Sequence, residues 1–80
     1  MTCREEILSF VHRLVSRKGQ NIFSLKEVVD GMRASGTQYK ESTIRTHITS
    51  RMCANAPDHH AVTYKDFQRV GKGIYRLRDQ

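Results

Sequence analysis

Between Cys3 and Lys18 the apolar residues Ile7, Phe10, Val11, Leu14 and Val15 recur at i, i+3, i+4, i+7 and i+8. That spacing is a single stripe along one side of a helix. Thr2 and Glu5 form a T-x-x-E capping box, which predicts a helix start near Cys3. Arg13 and Arg17 fall on the outer side, and Lys18-Gly19 supplies a cationic last turn followed by a glycine stop. Ile22-Phe23 is too short for a helix and fits a one-rung strand or an extended link. Ser24 and Glu27 repeat the capping box, and Leu25, Val28, Val29 and Met32 repeat the stripe until Ser35-Gly36 ends it.

After the tight connection Thr37-Gln38-Tyr39, a third helical pattern runs from about Lys40 to Cys53. Ile44, Ile48 and Met52 lie four apart on one narrow apolar face. At ~100° per residue the opposite face carries Ser42, Thr46, Thr49, Ser50 and Cys53, flanked by Thr43, Arg45 and His47. Serine and threonine are mediocre helix formers, so helix propensity does not explain that face. Asn55 and Pro57 break the pattern, and Ala54 to His60 reads as a loop. Val70-Gly71-Lys72-Gly73-Ile74 then predicts a tight hairpin with glycines where positive φ is wanted. Alternation along Ile74-Tyr75-Arg76-Leu77 puts Tyr75 and Leu77 on one face and Ile74 and Arg76 on the other. Phe67 is expected on the core ahead of the first hairpin strand.

Three helices, a tight turn between the second and third, and a closing hairpin make an α+β chain with the order of a winged helix-turn-helix. At 80 residues this is one domain, 1–80, with a modest core. No apolar run approaches the ~20 residues that span a bilayer. The start Met-Thr-Cys-Arg-Glu-Glu lacks the basic-then-apolar order of a signal peptide, so a cytoplasmic location is expected. Cys3 and Cys53 form no C-x-x-C pair, and two free thiols are expected in that setting.

Charge sharpens the functional expectation. Fourteen Lys and Arg against eight Asp and Glu give a net charge of +6. Up to Gly36 there are six cationic and four acidic residues, and after it eight and four, so the excess grows towards the C-terminus. That balance suits a polyanion bound through phosphate neutralisation. In the element order above, the third helix can enter a major groove roughly 12 Å wide while the hairpin rests on the backbone. Thr43, Arg45, Thr46 and Thr49 offer hydroxyl and cationic groups to bases and phosphates, with Ser42 and Ser50 on the same face. Lys40 sits near the helix start for a phosphate contact, and Arg69, Lys72 and Arg76 place three cations on or beside the wing.

The stretch Phe67-x-Arg69-Val70-Gly71-x-Gly73-x-Tyr75-x-Leu77 resembles the wing of many bacterial winged-helix domains. Ser42-Thr43-Ile44-Arg45-Thr46-His47-Ile48 is similar to the third helix of an uncharacterised bacterial winged-helix family. Domains of this kind also occur fused to restriction endonucleases, some of which read modified bases. The resemblance implies double-stranded DNA binding by the third helix and wing, in a small regulator or a recognition module of a restriction or phage-defence system.

Each candidate has a plainer alternative. Arg45 can form an i, i+4 ion pair with Glu41. The wing cations can be edge-strand charges that discourage aggregation. Tyr39 fits a core aromatic closing the turn, and His47 and Arg51 fit packing against helix 2 or the loop. Asp58-His59-His60, with His47 and Cys53, lacks metal-ligand spacing, so no metal or other cofactor is expected; its histidines could still make binding pH-sensitive. No paired carboxylates, nucleophile elbow or phosphate-cradling glycine loop occurs, which predicts a non-enzyme. RNA fits less well than duplex DNA because no aromatic platform for unpaired bases is evident. Tight binding by so small a chain would call for a homodimer or a fused partner domain. The rival class is a protein-interaction adaptor using the same surface.

Overall fold

A computed structural model describes residues 2–54 and 64–78. Helix α1 spans Cys3–Lys18. Both halves of its capping box form: the Glu5 amide donates to the Thr2 hydroxyl at 3.2 Å, and the Thr2 amide donates to the Glu5 carboxylate at 2.9 Å. Gly19 ends the helix at φ +72° and returns its N–H to the Val15 carbonyl, a left-handed cap that costs a residue with a Cβ and not a glycine. Strand β1 is the pair Phe23–Ser24, and it leads straight into helix α2, Leu25–Ala34.

The second capping box is also closed. The Glu27 amide donates to the Ser24 hydroxyl at 3.0 Å and the Ser24 amide to the Glu27 carboxylate at 2.8 Å. Lys18 adds an ammonium group 3.0 Å from the same carboxylate, tying the end of α1 to the start of α2. The Ser24 amide, followed by Lys18, holds the Glu27 carboxyl below its ordinary range. Its folded value lies below the unfolded one, so the stabilisation is full above the ordinary glutamate range and is lost as pH falls through the folded value. Urea unfolding of Glu27→Gln, compared with the unaltered chain at successive pH values, is expected to show a smaller acid loss of stability. At neutral pH the substitution should cost about 0.3–1.5 kcal/mol. An unchanged acid loss would remove Glu27 as a contributor.

Helix α3 covers Glu41–Thr46. The helical path continues through a wider π turn, His47–Arg51, in which the Met52 amide reaches back five residues to the His47 carbonyl at 2.8 Å. The sequence predicts one regular helix from Lys40 to Cys53, and the difference has a physical cause. Apolar residues exactly four apart drift by ~40° per step around a 3.6-residue turn. A widened turn takes up the drift and keeps Ile44, Ile48 and Met52, all fully buried, on one line.

Strands β2 (Phe67–Gly71) and β3 (Ile74–Leu77) form the hairpin around Lys72-Gly73. Gly73 takes φ +70°, whereas Gly71 is the last residue of β2 and needs no positive φ. Register shifts between Arg69 and Gly71, leaving Val70 as the extra residue of a bulge. The two-residue β1 pairs with β3, Phe23 opposite Tyr75 and Ser24 opposite Ile74, so the sheet is three-stranded and antiparallel in the order β1-β3-β2. The described chain is therefore α+β, with three helices over a three-stranded antiparallel sheet.

Ile7 and Val11 of α1, Val28, Val29 and Met32 of α2, Ile44 and Ile48 of the third helical segment, and Phe23, Phe67 and Tyr75 of the sheet make one core. Phe67 meets Phe23 edge-on, with centroids 5.0 Å apart. Cys3 and Cys53 are both buried and form no disulfide, and burial raises the Cys3 thiol above its ordinary range, which keeps it protonated. No helix among the described residues is long and apolar enough to cross a membrane. The loop expected over Ala54 to His60, with its Asp58-His59-His60 run, lies outside the described residues from position 55 onward.

Candidate nucleic-acid interface

The burial of Ile44 and Ile48 decides which side of α3 faces out. Lys40, Ser42, Arg45 and Thr46 are exposed, while Thr43, Thr49 and Ser50 are half-buried. The outward face is thus narrower than a regular helix predicts. Thr49 spends its hydroxyl hydrogen on the Arg45 carbonyl, 2.8 Å away. His47 does the same inside its own helix, donating from Nδ1 to the Thr43 carbonyl at 2.9 Å. Both bonds lie near the point where the helix widens, and the Thr43 carbonyl also keeps its backbone bond from the His47 amide. Arg51 is exposed, and most of the loop that the sequence offers it as a packing partner in place of α2 lies outside the described residues. Tyr39 is half-buried and packs on the core, as its place in the turn suggests.

Arg45 forms the ion pair that its spacing from Glu41 allows, Nε to Oε2 at 2.8 Å. The other Glu41 oxygen lies 3.4 Å from Arg33 of α2, a partner the sequence pattern did not single out. Glu41 therefore anchors the start of α3 to the end of α2. The Arg45 and Glu41 side chains are 48% and 42% exposed, which places the pair in solvent. A helical pair of this kind is worth about 0.3–0.5 kcal/mol, against about 1–3 kcal/mol for a bidentate arginine–guanine contact.

On the hairpin, Lys72 stands exposed in the turn and Arg69 exposed on β2. Arg76 is half-buried and donates to the Gln68 side chain at 3.4 Å, so the three wing cations do not behave alike. The Leu25 amide donates to the Gly73 carbonyl at 2.9 Å and fixes the hairpin turn against the start of α2. The sites predicted from sequence therefore separate into an exposed set on α3 (Ser42, Arg45 and Thr46, with Lys40 before it) and an exposed pair on the hairpin (Arg69 and Lys72). No group of three or more His, Cys, Asp or Glu side chains among the described residues is placed to hold a metal ion.

Neither a curated protein nor a solved structure matches this chain. A family match covers residues 3–77, from the first residue of α1 to the last of β3, and so includes both exposed sets. The chain belongs to the family described as domain of unknown function DUF7669.

Proposed function

We propose that this chain is a winged-helix module that binds double-stranded DNA, with α3 in the major groove and the hairpin on the sugar-phosphate backbone. The order α1-β1-α2-α3-β2-β3 is the order of such a module, and the short β1 beside β3 completes its sheet. The observation that carries the proposal is the outward face of α3. It presents Ser42, Arg45 and Thr46 over a fully buried Ile44 and Ile48, in a chain of net charge +6. Hydroxyl and guanidinium groups on one exposed helix face are the chemistry that reads base edges and phosphates. Lys40, Thr43, Thr49 and Ser50 border that face. Arg69, Lys72 and Arg76 contribute sequence-independent attraction to phosphate.

Such a module serves as a small regulator or as the recognition part of a restriction or phage-defence system, working in the cytoplasm without catalysis of its own. A homodimer or a fused partner domain would supply the phosphate contacts that one copy lacks. The test is fluorescence anisotropy with random duplexes, unmodified and base-modified, across a salt series. Arg45→Ala is expected to weaken the preferred duplex by about 1–3 kcal/mol and to relax preference. Lys72→Ala should weaken all duplexes alike and lower the salt slope by about one. Full affinity and preference in Arg45→Ala would remove α3 as the reader.

The second reading is an adaptor for another polypeptide that uses the same surface. Absence of duplex binding even at low salt would favour it.

A further inference from the structure

Behind the hairpin, away from its turn, Ala54, Lys65, Gln68 and Arg78 line an open cleft of about 330 Å³. Its walls come from three stretches of chain that backbone hydrogen bonds hold together. The Ala54 amide donates to the Phe67 carbonyl at 2.8 Å, the Tyr64 amide to the Arg51 carbonyl at 2.8 Å, and the Arg78 amide to the Asp66 carbonyl at 3.0 Å. The cleft is therefore part of the folded frame.

Among the described residues its charge is one-sided. Lys65 and Arg78 are exposed, and neither side chain is ion-paired with a carboxylate of the described residues. Asp66, which adjoins Lys65, is committed elsewhere. Arg4 grips it with two bonds, Nε to Oδ2 at 2.8 Å and Nη2 to Oδ1 at 2.9 Å, and the Arg4 guanidinium also covers the Tyr64 ring at 4.0 Å. A carboxylate held by both oxygens to an arginine does little to neutralise Lys65 next to it. Gln68 completes the set. Its side-chain oxygen accepts from Arg76, which leaves the amide hydrogens as the donors it can offer a ligand.

We propose that this cleft binds a phosphate group, with Lys65 and Arg78 as its counter-charges and the Gln68 amide as a neutral donor. A planar guanidinium, an ammonium and an amide together match a tetrahedral oxyanion with several acceptor oxygens. The phosphate belongs either to a nucleic-acid backbone or to a free phosphorylated small molecule. The site lies off the face of α3 and does not depend on α3 reading bases.

The experiment follows backbone amide shifts of the full chain titrated with inorganic phosphate, with chloride at matched ionic strength as the comparison. Saturable shifts at Lys65, Gln68 and Arg78 are expected with phosphate alone. They should vanish in Lys65→Gln/Arg78→Gln and persist in the charge-preserving Lys65→Arg/Arg78→Lys. No saturable shift, equal shifts with chloride, or shifts that survive the neutral double variant would overturn the site. Duplex DNA then separates the sources. If the neutral variant lowers the salt slope of duplex binding by about one to two, the occupant is a backbone phosphodiester. If phosphate shifts are intact and the slope does not change, the site serves a free phosphorylated ligand. A chain that binds phosphate here but binds no duplex supports the site and sinks only the DNA proposal.

Discussion

Phe23→Ala is expected to lower the unfolding free energy by about 3–5 kcal/mol, the range for removing a buried aromatic. Phe23 is fully buried, touches Phe67 edge-on and stacks on Tyr75 with centroids 6.2 Å apart. It is also half of β1, so the cavity opens where α1, α2 and the sheet converge. Small domains have about 5–15 kcal/mol in all, and each kcal/mol moves the melting temperature of a chain this size by about 4–8 °C. A fall of about 12–40 °C in a circular-dichroism melt is the corresponding result. Its neighbour supplies the control: Ile22 is 43% exposed, and Ile22→Ala should stay within about 0.5 kcal/mol. Equal losses from the two substitutions would mean that β1 is not seated with Phe23 inward.

That pair also shows where the sequence stops being legible. Helical stripes and caps are local, and Thr2-x-x-Glu5, Ser24-x-x-Glu27 and Gly19 state their elements within a few residues. The partner of Phe23 is Tyr75, some fifty positions away along the chain. A two-residue strand carries no periodicity that points across such a gap. The apolar pair reads as a one-rung strand or an extended link; the strand forms, at Phe23–Ser24, but which strand it joins was not legible. The π turn lies between these cases. The spacing of four between Ile44, Ile48 and Met52 fits a regular helix as well as a widened one, so the π turn itself was not legible.

The candidate site divides in the same way. Exposure of Arg45 and Thr46 follows from the position of Ile44, and the Glu41–Arg45 pair follows from i, i+4 spacing. Arg33 on Glu41 and Arg4 on Asp66 do not, because each joins elements that the sequence alone leaves unplaced. The Lys65, Gln68 and Arg78 cleft is of the second kind. Its members share no local motif, and only the joining of the hairpin base to the end of the third helical segment brings them together. Thr49 adds a subtler case: its hydroxyl was a candidate base contact, and a main-chain carbonyl one turn back has claimed its hydrogen.

Asn21→Asp is the other substitution expected to act strongly, although it changes one atom and no volume. The Asn21 side chain behaves as an extra rung of the sheet. Leu77 donates its amide to Oδ1 at 2.8 Å, and Nδ2 donates to the Leu77 carbonyl at 2.7 Å. Asn21 lies two positions before Phe23 and Leu77 two after Tyr75, so a side-chain amide continues the β1–β3 register in place of backbone. An aspartate keeps the first bond and turns the second into two oxygens facing each other. The unmet carbonyl and the repulsion together should cost about 1–3 kcal/mol at neutral pH, read from urea unfolding. Protonation restores a donor, so the folded form raises the pKa of the new carboxyl above its unfolded value of about 3.9. The deficit should therefore be full above the raised folded value and shrink as pH falls from there towards the unfolded one. Asn21→Ala, which has neither donor nor acceptor, should show a deficit independent of pH. If the two variants instead follow one another at every pH, the paired bonds to Leu77 are not what Asn21 contributes.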